Sequence, residues 1–179
     1  MENLLELLRK RRSTRKFMET EISPEWVEKL MQAALLSPAS KSSNPWEFVL
    51  VDDRDMLQAL SLSKKAGSKL LDNCSLAVVV LADPAKSDVW VEDTSIASIY
   101  LQLQAEDLGL GSCWIQIRCR QTAEGEDSES YVKRHLDIPE NYRVESIIAI
   151  GVKETSKEPY DLDDLQWEKI HVGKYKTIE

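Results

Sequence analysis

The stretch "SLAVVVLAD", residues 75–83, decides the architecture. From Leu76 to Ala82 it is unbroken apolar and rich in β-branched valine, bounded by a serine and an aspartate, which describes a strand covered on both faces. The run is far too short to cross a bilayer as a helix, which takes about 20 apolar residues. Such a strand needs a layer on each side, and its neighbours supply the material. Upstream, "WEFVLVD" (46–52) reads as a strand entered through Pro45, and a helix is predicted around Met56, Leu57 and Leu60. Downstream, the segment 91–108 is the longest helix candidate, with Ile96, Ile99, Tyr100, Leu103 and Leu108 on or near one stripe. Its small residues Ala97 and Ser98 suit close packing against another helix. "SCWIQI" (112–117) and "VESIIAIG" (144–151) are two further strands, separated by an acidic loop and a short helix around Tyr131 to Leu136.

Two helices precede the first strand. Leu4, Leu5 and Leu8 line one, with Asn3 as its cap. In the other, Ser23 caps, Pro24 takes the first turn, and Val27, Leu30, Met31, Ala34 and Leu35 repeat at helical spacing until Pro38 forces an end near Ser37. No linker splits the chain, so 1–179 reads as one domain. Its last stretch, about 155–179, has no clear period yet carries Tyr160, Trp167, Ile170 and Tyr175, too many large side chains for a free tail. It reads as an arm that packs on something, a second subunit being one candidate.

Composition excludes several functions. Lys plus Arg number 23 against 31 Asp plus Glu, a net charge of −8 that opposes broad contact with nucleic acid. Cys74, Cys113 and Cys119 are odd in number and show no metal-like spacing, as expected of reduced thiols in the cytoplasm; "MENLLELLRK" lacks the apolar core of a secretory signal. Against this acidic background, "RRSTRKF" (11–17) sits in a run with six basic residues among the eight from Arg9 to Lys16. Complementing a helix C-terminus explains one or two of them but not Arg15 and Lys16. Guanidinium groups beside the hydroxyls of Ser13 and Thr14 also suit a phosphate dianion, and a solvated basic face is the plainer alternative.

The two histidines, His135 and His171, have no metal-ligand spacing, and neither a nucleophile elbow nor a phosphate loop occurs. Reactive chemistry would have to come from a cofactor. In "DLGLGSCW" the third glycine of a dinucleotide fingerprint is replaced by Trp114 and a helix stands where a strand is required. Gly109 instead reads as a helix terminator and Gly111 as relief at the entry to the next strand. "SPASKSSNPWEF" (37–48) is either an ordinary surface loop or a set of fixed hydrogen bonds for the edge of a polar ring.

Taken in order, the Arg-Arg-Ser-x-Arg motif, the "SPAS…NPW" loop, "GLGSCWIQIR" and "IPENYRVESIIAIG" resemble the FMN-dependent nitroreductase family over most of the chain. That resemblance implies an α+β fold with a mixed, mainly antiparallel central sheet flanked by helices and an extended C-terminal arm. It implies that Arg11, Arg12, Ser13 and Arg15 hold the phosphate of FMN, and that Pro38, Ala39, Ser40 and Asn44 approach the flavin ring, with a main-chain donor near Gln116 at its N5. Where relatives carry a basic pair after the last strand, this chain reads "KETSKEPYDLDD", leaving Lys153, Lys157 or Lys174 as substitutes. The resemblance further implies a cytoplasmic homodimer with flavins at the interface and the arm crossing to the partner. The expected activity is NADH- or NADPH-dependent reduction of a small acceptor, such as a nitroaromatic or a quinone, by a ping-pong cycle, with neither nucleic acid nor membrane involved. A flavin-binding carrier or sensor without turnover is the alternative.

Overall fold

A computed structural model describes residues 3–175 of the chain. Its sheet has four antiparallel strands, β1 (Trp46–Val51), β2 (Leu76–Ala82), β3 (Gly111–Gln116) and β4 (Arg143–Gly151), in the order β1-β2-β4-β3. Every residue of β2 is buried, as its sequence demands of a strand covered on both faces. The helices are α1 (Leu4–Lys10), α2 (Pro24–Leu35), α3 (Arg54–Ser61), α4 (Trp90–Asp107) and α5 (Ser128–His135). Strand alternation divides the core: Val79, Ile115 and Ile147 pack with Leu57, Leu60 and Val132 from α3 and α5. Val78, Val80, Ile148 and Ile150 pack on the other face with Leu30 and Ala34 of α2 and Leu101 and Ala105 of α4. The fold is therefore the expected α+β one, a largely antiparallel sheet between helices. Among the described residues its parallel component is a single bridge, Ser13 to Ser112.

Caps act where the sequence offers them. Asn3 accepts the Glu6 N–H at 2.9 Å, Ser23 accepts that of Trp26 at 3.4 Å, and Asp53 accepts that of Met56 at 2.9 Å. Gly109, at φ 76°, ends α4 in the left-handed conformation that favours glycine.

The predicted stripe of α4 is corrected. Ile96, Ile99 and Tyr100 are exposed on this chain, whereas Thr94, Ala97, Ser98, Leu101 and Ala105 are buried. The sheet sets this choice, because the small Ala97, Ser98 and Ala105 let the helix axis approach it while Leu101 fills the core between them; Ser98 Oγ meets Ser146 Oγ of β4 at 3.3 Å. Leu4, Leu5 and Leu8 of α1 are exposed too. Beyond β4 the described residues form one short 3-10 turn, Trp167–Lys169, and Trp167, Ile170 and Tyr175 stand open to solvent on this chain. Residues 176–179 of the expected arm lie outside the described residues. No helix among the described residues is long and apolar enough to cross a membrane.

Candidate functional site

The basic motif owes its position to two glycines. Gly111 and Gly151 face each other across β3 and β4, and residues 13–17 cross the sheet over them. A Cβ on Gly111 would lie 2.6 Å from Thr14 Oγ1, and one on Gly151 would lie 2.9 Å from Phe17 Cδ1. With that space open, the Thr14 N–H donates to the Ser112 carbonyl at 2.9 Å, Phe17 bridges to Lys153, and the Phe17 ring enters the core. The backbone of the motif is fixed while its cations project around it.

Those cations sort into two groups. Arg12 is engaged by the C-terminal stretch: its guanidinium donates to the Glu158 carbonyl and lies 4.2 Å from the centroid of the Tyr160 ring. Arg11, Arg15 and Lys157 pair with no carboxylate among the described residues, and Lys157 Nζ donates to the Ser13 carbonyl at 3.2 Å. Burial pushes the Cys113 thiol up in pKa, and the charges of Arg15, Lys157, Lys64 and Arg11 pull against it. A cleft of about 600 Å³ opens here, lined by Arg12, Thr14, Arg15, Lys16, Lys153 and Lys157 among others. Of the three lysines the sequence left open, Lys157 is the one whose ammonium group meets the motif without a carboxylate partner among the described residues. Lys153 Nζ is 2.6 Å from Glu106 Oε1 in a largely buried pair, and no hydrogen bond or ion pair among the described residues joins Lys174 to the motif. Lys64, in the loop after α3, was not anticipated. Nothing in "SLSKKAGS" distinguishes it from a surface lysine, and only the approach of that loop to β3 brings it in.

Pro38, Ala39, Ser40 and Asn44 lie between α2 and β1. The Ser40 N–H donates to Asp93 Oδ1 at 2.8 Å, and Ser87 Oγ donates to the other oxygen at 2.7 Å, so one buried carboxylate near the start of α4 pins the loop. Lys41, Ser42 and Asn44 adopt φ of 53°, 54° and 43° without being glycine; left-handed residues of this kind cost on the order of 1–3 kcal/mol each. Ser37 Oγ, Ser43 Oγ and Trp46 Nε1 are buried here with no hydrogen-bond partner. A loop that is strained and carries orphaned polar atoms is a site awaiting further contacts.

Gln116 ends β3. Its side chain is occupied internally: Nε2 donates to Glu145 Oε1 at 3.0 Å and Oε1 accepts from Trp114 Nε1 at 2.9 Å. Its main chain is not. The Ser112 carbonyl points away from β4, since it accepts the Thr14 N–H; residues two and four further on share that direction. The main-chain N–H groups of Trp114 and Gln116 therefore face the open edge of the sheet. Arg118, just beyond, lies 3.9 Å from Glu145 and 5.9 Å from the centroid of the Trp90 ring.

The sheet separates these parts. The motif crosses β3 at Ser112, while Gln116 is about 13 Å further along the same strand. The Pro38–Asn44 loop enters β1, at the opposite edge, about 14 Å away across three strand spacings and at the end where Gln116 lies. One chain thus joins the motif and Gln116 along one edge and holds the loop elsewhere. No group of His, Cys, Asp and Glu among the described residues could hold a metal ion.

Known proteins share this sequence pattern and this fold. The sequence model of the nitroreductase family matches residues 8–74 and 56–152. A protein of Archaeoglobus fulgidus, provisionally named an NADH dehydrogenase/NAD(P)H nitroreductase, is 37% identical over 98% of this chain and all of its own. The solved structure of an FMN-dependent nitroreductase from Clostridium difficile R20291 is 44% identical, with a TM-score of 0.94 over 96% of this chain and 100% of that one. A nitroreductase family protein from Clostridium novyi NT superposes with a TM-score of 0.75 at 26% identity, covering 86% of each chain. With the motif, the loop and the β3 edge all in place, the chain belongs to the nitroreductase family, a family of oxidoreductases.

Proposed function

We propose that the protein is an FMN-dependent NAD(P)H oxidoreductase, acting on a small electron acceptor such as a nitroaromatic or a quinone by a ping-pong cycle. One observation carries this reading: Arg11, Arg15 and Lys157 lie without carboxylate partners at one end of an open strand edge whose main-chain N–H at Gln116 faces outward about 13 Å further on. The donor set fits the cofactor, since a phosphate dianion answers guanidinium and ammonium groups and a strand-edge N–H answers a ring nitrogen. FMN, when bound, supplies the hydride and electron chemistry that the side chains lack. The chain's own work is then to bind and orient. Arg11, Arg15 and Lys157 hold the phosphate, with Ser13 beside them and Arg12 shared with the arm. Gln116 presents its main-chain N–H, held in direction by Glu145 and Trp114. No protein nucleophile is needed, and burial keeps the Cys113 thiol protonated.

The same reading makes the protein a homodimer. Pro38, Ala39, Ser40 and Asn44 would meet the flavin of a second copy, which accounts for a loop that is built for contact yet sits at the wrong edge of its own sheet. The exposed Leu4, Leu5 and Leu8 of α1, Ile96 and Ile99 of α4, and Trp167 and Ile170 of the arm supply apolar surface to bury in such a dimer. Three unpaired thiols favour a cytoplasmic protein. Lys174 remains a candidate to close the phosphate site from the arm.

The test is the visible spectrum of the purified protein with FMN, followed by anaerobic NADH and NADPH. Bleaching of a bound flavin by either nucleotide, then reoxidation by a quinone, is expected. A flavin that binds but resists both nucleotides would indicate a carrier or sensor, and a protein that takes up no FMN would end the flavin reading.

A further inference from the structure

A second cationic cleft lies beyond the far end of β3. There the chain turns back, with the Arg120 N–H donating to the Ile117 carbonyl at 3.1 Å and Cys119 at φ 58°. The Lys65 N–H donates to the Gln121 carbonyl at 2.8 Å, which ties the loop after α3 to this turn. Between them is an open cleft of about 790 Å³, lined by Lys64, Lys65, Arg120, Gln121 and Asp127 among others.

Its charges are uncompensated. Lys64, Lys65 and Arg120 form no ion pair among the described residues, and of the nearby acids Glu126 and Asp127 are engaged by other groups. Asp127 caps α5, accepting from the N–H and hydroxyl of Ser130 at 2.9 and 3.1 Å, and Glu126 pairs with Arg134 at 3.0 Å. Burial first, and the charge of Arg120 second, lower the pKa of Lys64. Two like charges held together in a partly desolvated cleft are relieved by an anion, and a diphosphate spreads its charge over oxygens that several cations can share.

Position separates Lys65 and Arg120 from the flavin's phosphate, with Lys64 between the two ends. Arg11 and Arg15 serve the end of β3 at Ser112, whereas Arg120 stands past Gln116, at the end where the reacting ring would lie. We propose that Lys64, Lys65 and Arg120 bind the diphosphate of the nicotinamide dinucleotide that reduces the flavin, an assignment that rests on the oxidoreductase reading above.

Calorimetric titration of ADP-ribose, which carries the diphosphate without the nicotinamide, into FMN-loaded protein tests it. In the double variant Lys65→Ala/Arg120→Ala the Kd for ADP-ribose should rise by about tenfold or more. FMN affinity, and flavin reduction by 1-benzyl-1,4-dihydronicotinamide, which has no phosphate, should stay as in the unaltered protein. Equal ADP-ribose affinity in the two proteins, or no binding to the unaltered one, overturns the assignment. So does loss of FMN from the variant, which would give these cations to the flavin phosphate. If the unaltered protein takes up no FMN, the oxidoreductase reading fails separately, and the same titration of the unloaded chain decides the cleft by the same criterion.

Discussion

The two ends of the site are held in opposite ways. The basic motif lies on the sheet, its main chain joined to β3 and β4 over Gly111 and Gly151, so its backbone is fixed within one chain. The Pro38–Asn44 loop hangs from one carboxylate, Asp93, keeps three residues in left-handed backbone and leaves two hydroxyls and an indole N–H buried without partners. A charged end can be finished locally, because cations need only proximity and water to be stable while empty. A hydrogen-bonding end whose donors are buried needs its partners delivered, which the second copy proposed above would do.

The sharpest way to break this contrast is to remove the charge. Arg11→Ala combined with Arg15→Ala should weaken FMN binding by about 100-fold, about 2.7 kcal/mol, as expected when charge-assisted hydrogen bonds to phosphate are lost. Fluorescence titration of FMN reads this, and the melting temperature of the flavin-free protein should hardly move.

The loop end should respond the other way round. Asp93→Ala strands the Ser40 N–H and the Ser87 hydroxyl, so we expect a loss of about 2–3 kcal/mol in urea unfolding. Asp93→Asn, which keeps one acceptor for Ser40, should lose roughly half as much. If both variants unfold like the parent, the loop is not held by this carboxylate.

Gly111→Ala tests the link between sheet and motif. The new Cβ would meet Thr14, and an overpacked contact of this kind costs about 1–3 kcal/mol. Because the displaced segment carries Arg11 and Arg15, FMN affinity should fall together with stability, a coupling that the Asp93 variants lack in the isolated chain.

The smallest effect concerns the thiols. Burial pushes Cys74 up to about 12 from an ordinary 9.0, whereas Cys119 is exposed. The unfolded chain ionises this thiol first, so stability is fully present below pH 9.0 and declines toward pH 12. Cys74→Ala should flatten that alkaline decline, and a thiol reagent at neutral pH should label Cys119 well before Cys74 or Cys113.

Much of this molecule is legible before folding. The apolar run 76–82 specifies a doubly covered strand, Ser23-Pro24 starts a helix, Gly109 ends one, and the charge from Arg9 to Lys16 stands out as a local basic feature of an acidic chain. These features are local: each follows from periodicity, a cap, a backbone preference or net charge within a few residues. Other features were not legible, and for one reason. The buried stripe of α4 went to Thr94, Ala97, Leu101 and Ala105 because the closeness of the sheet favoured small residues over Ile96 and Ile99. Lys157 turns its ammonium group to the motif, whereas Glu106 holds that of Lys153. Lys64 came to β3 from a loop with no signature of its own, and Gly111 proved to clear Thr14 rather than simply ease a strand entry. Residue order declares which groups carry charge, turn or strand. Which of them share a site depends on distances between segments far apart in the chain, and those distances exist only once the sheet and its two helical layers have packed.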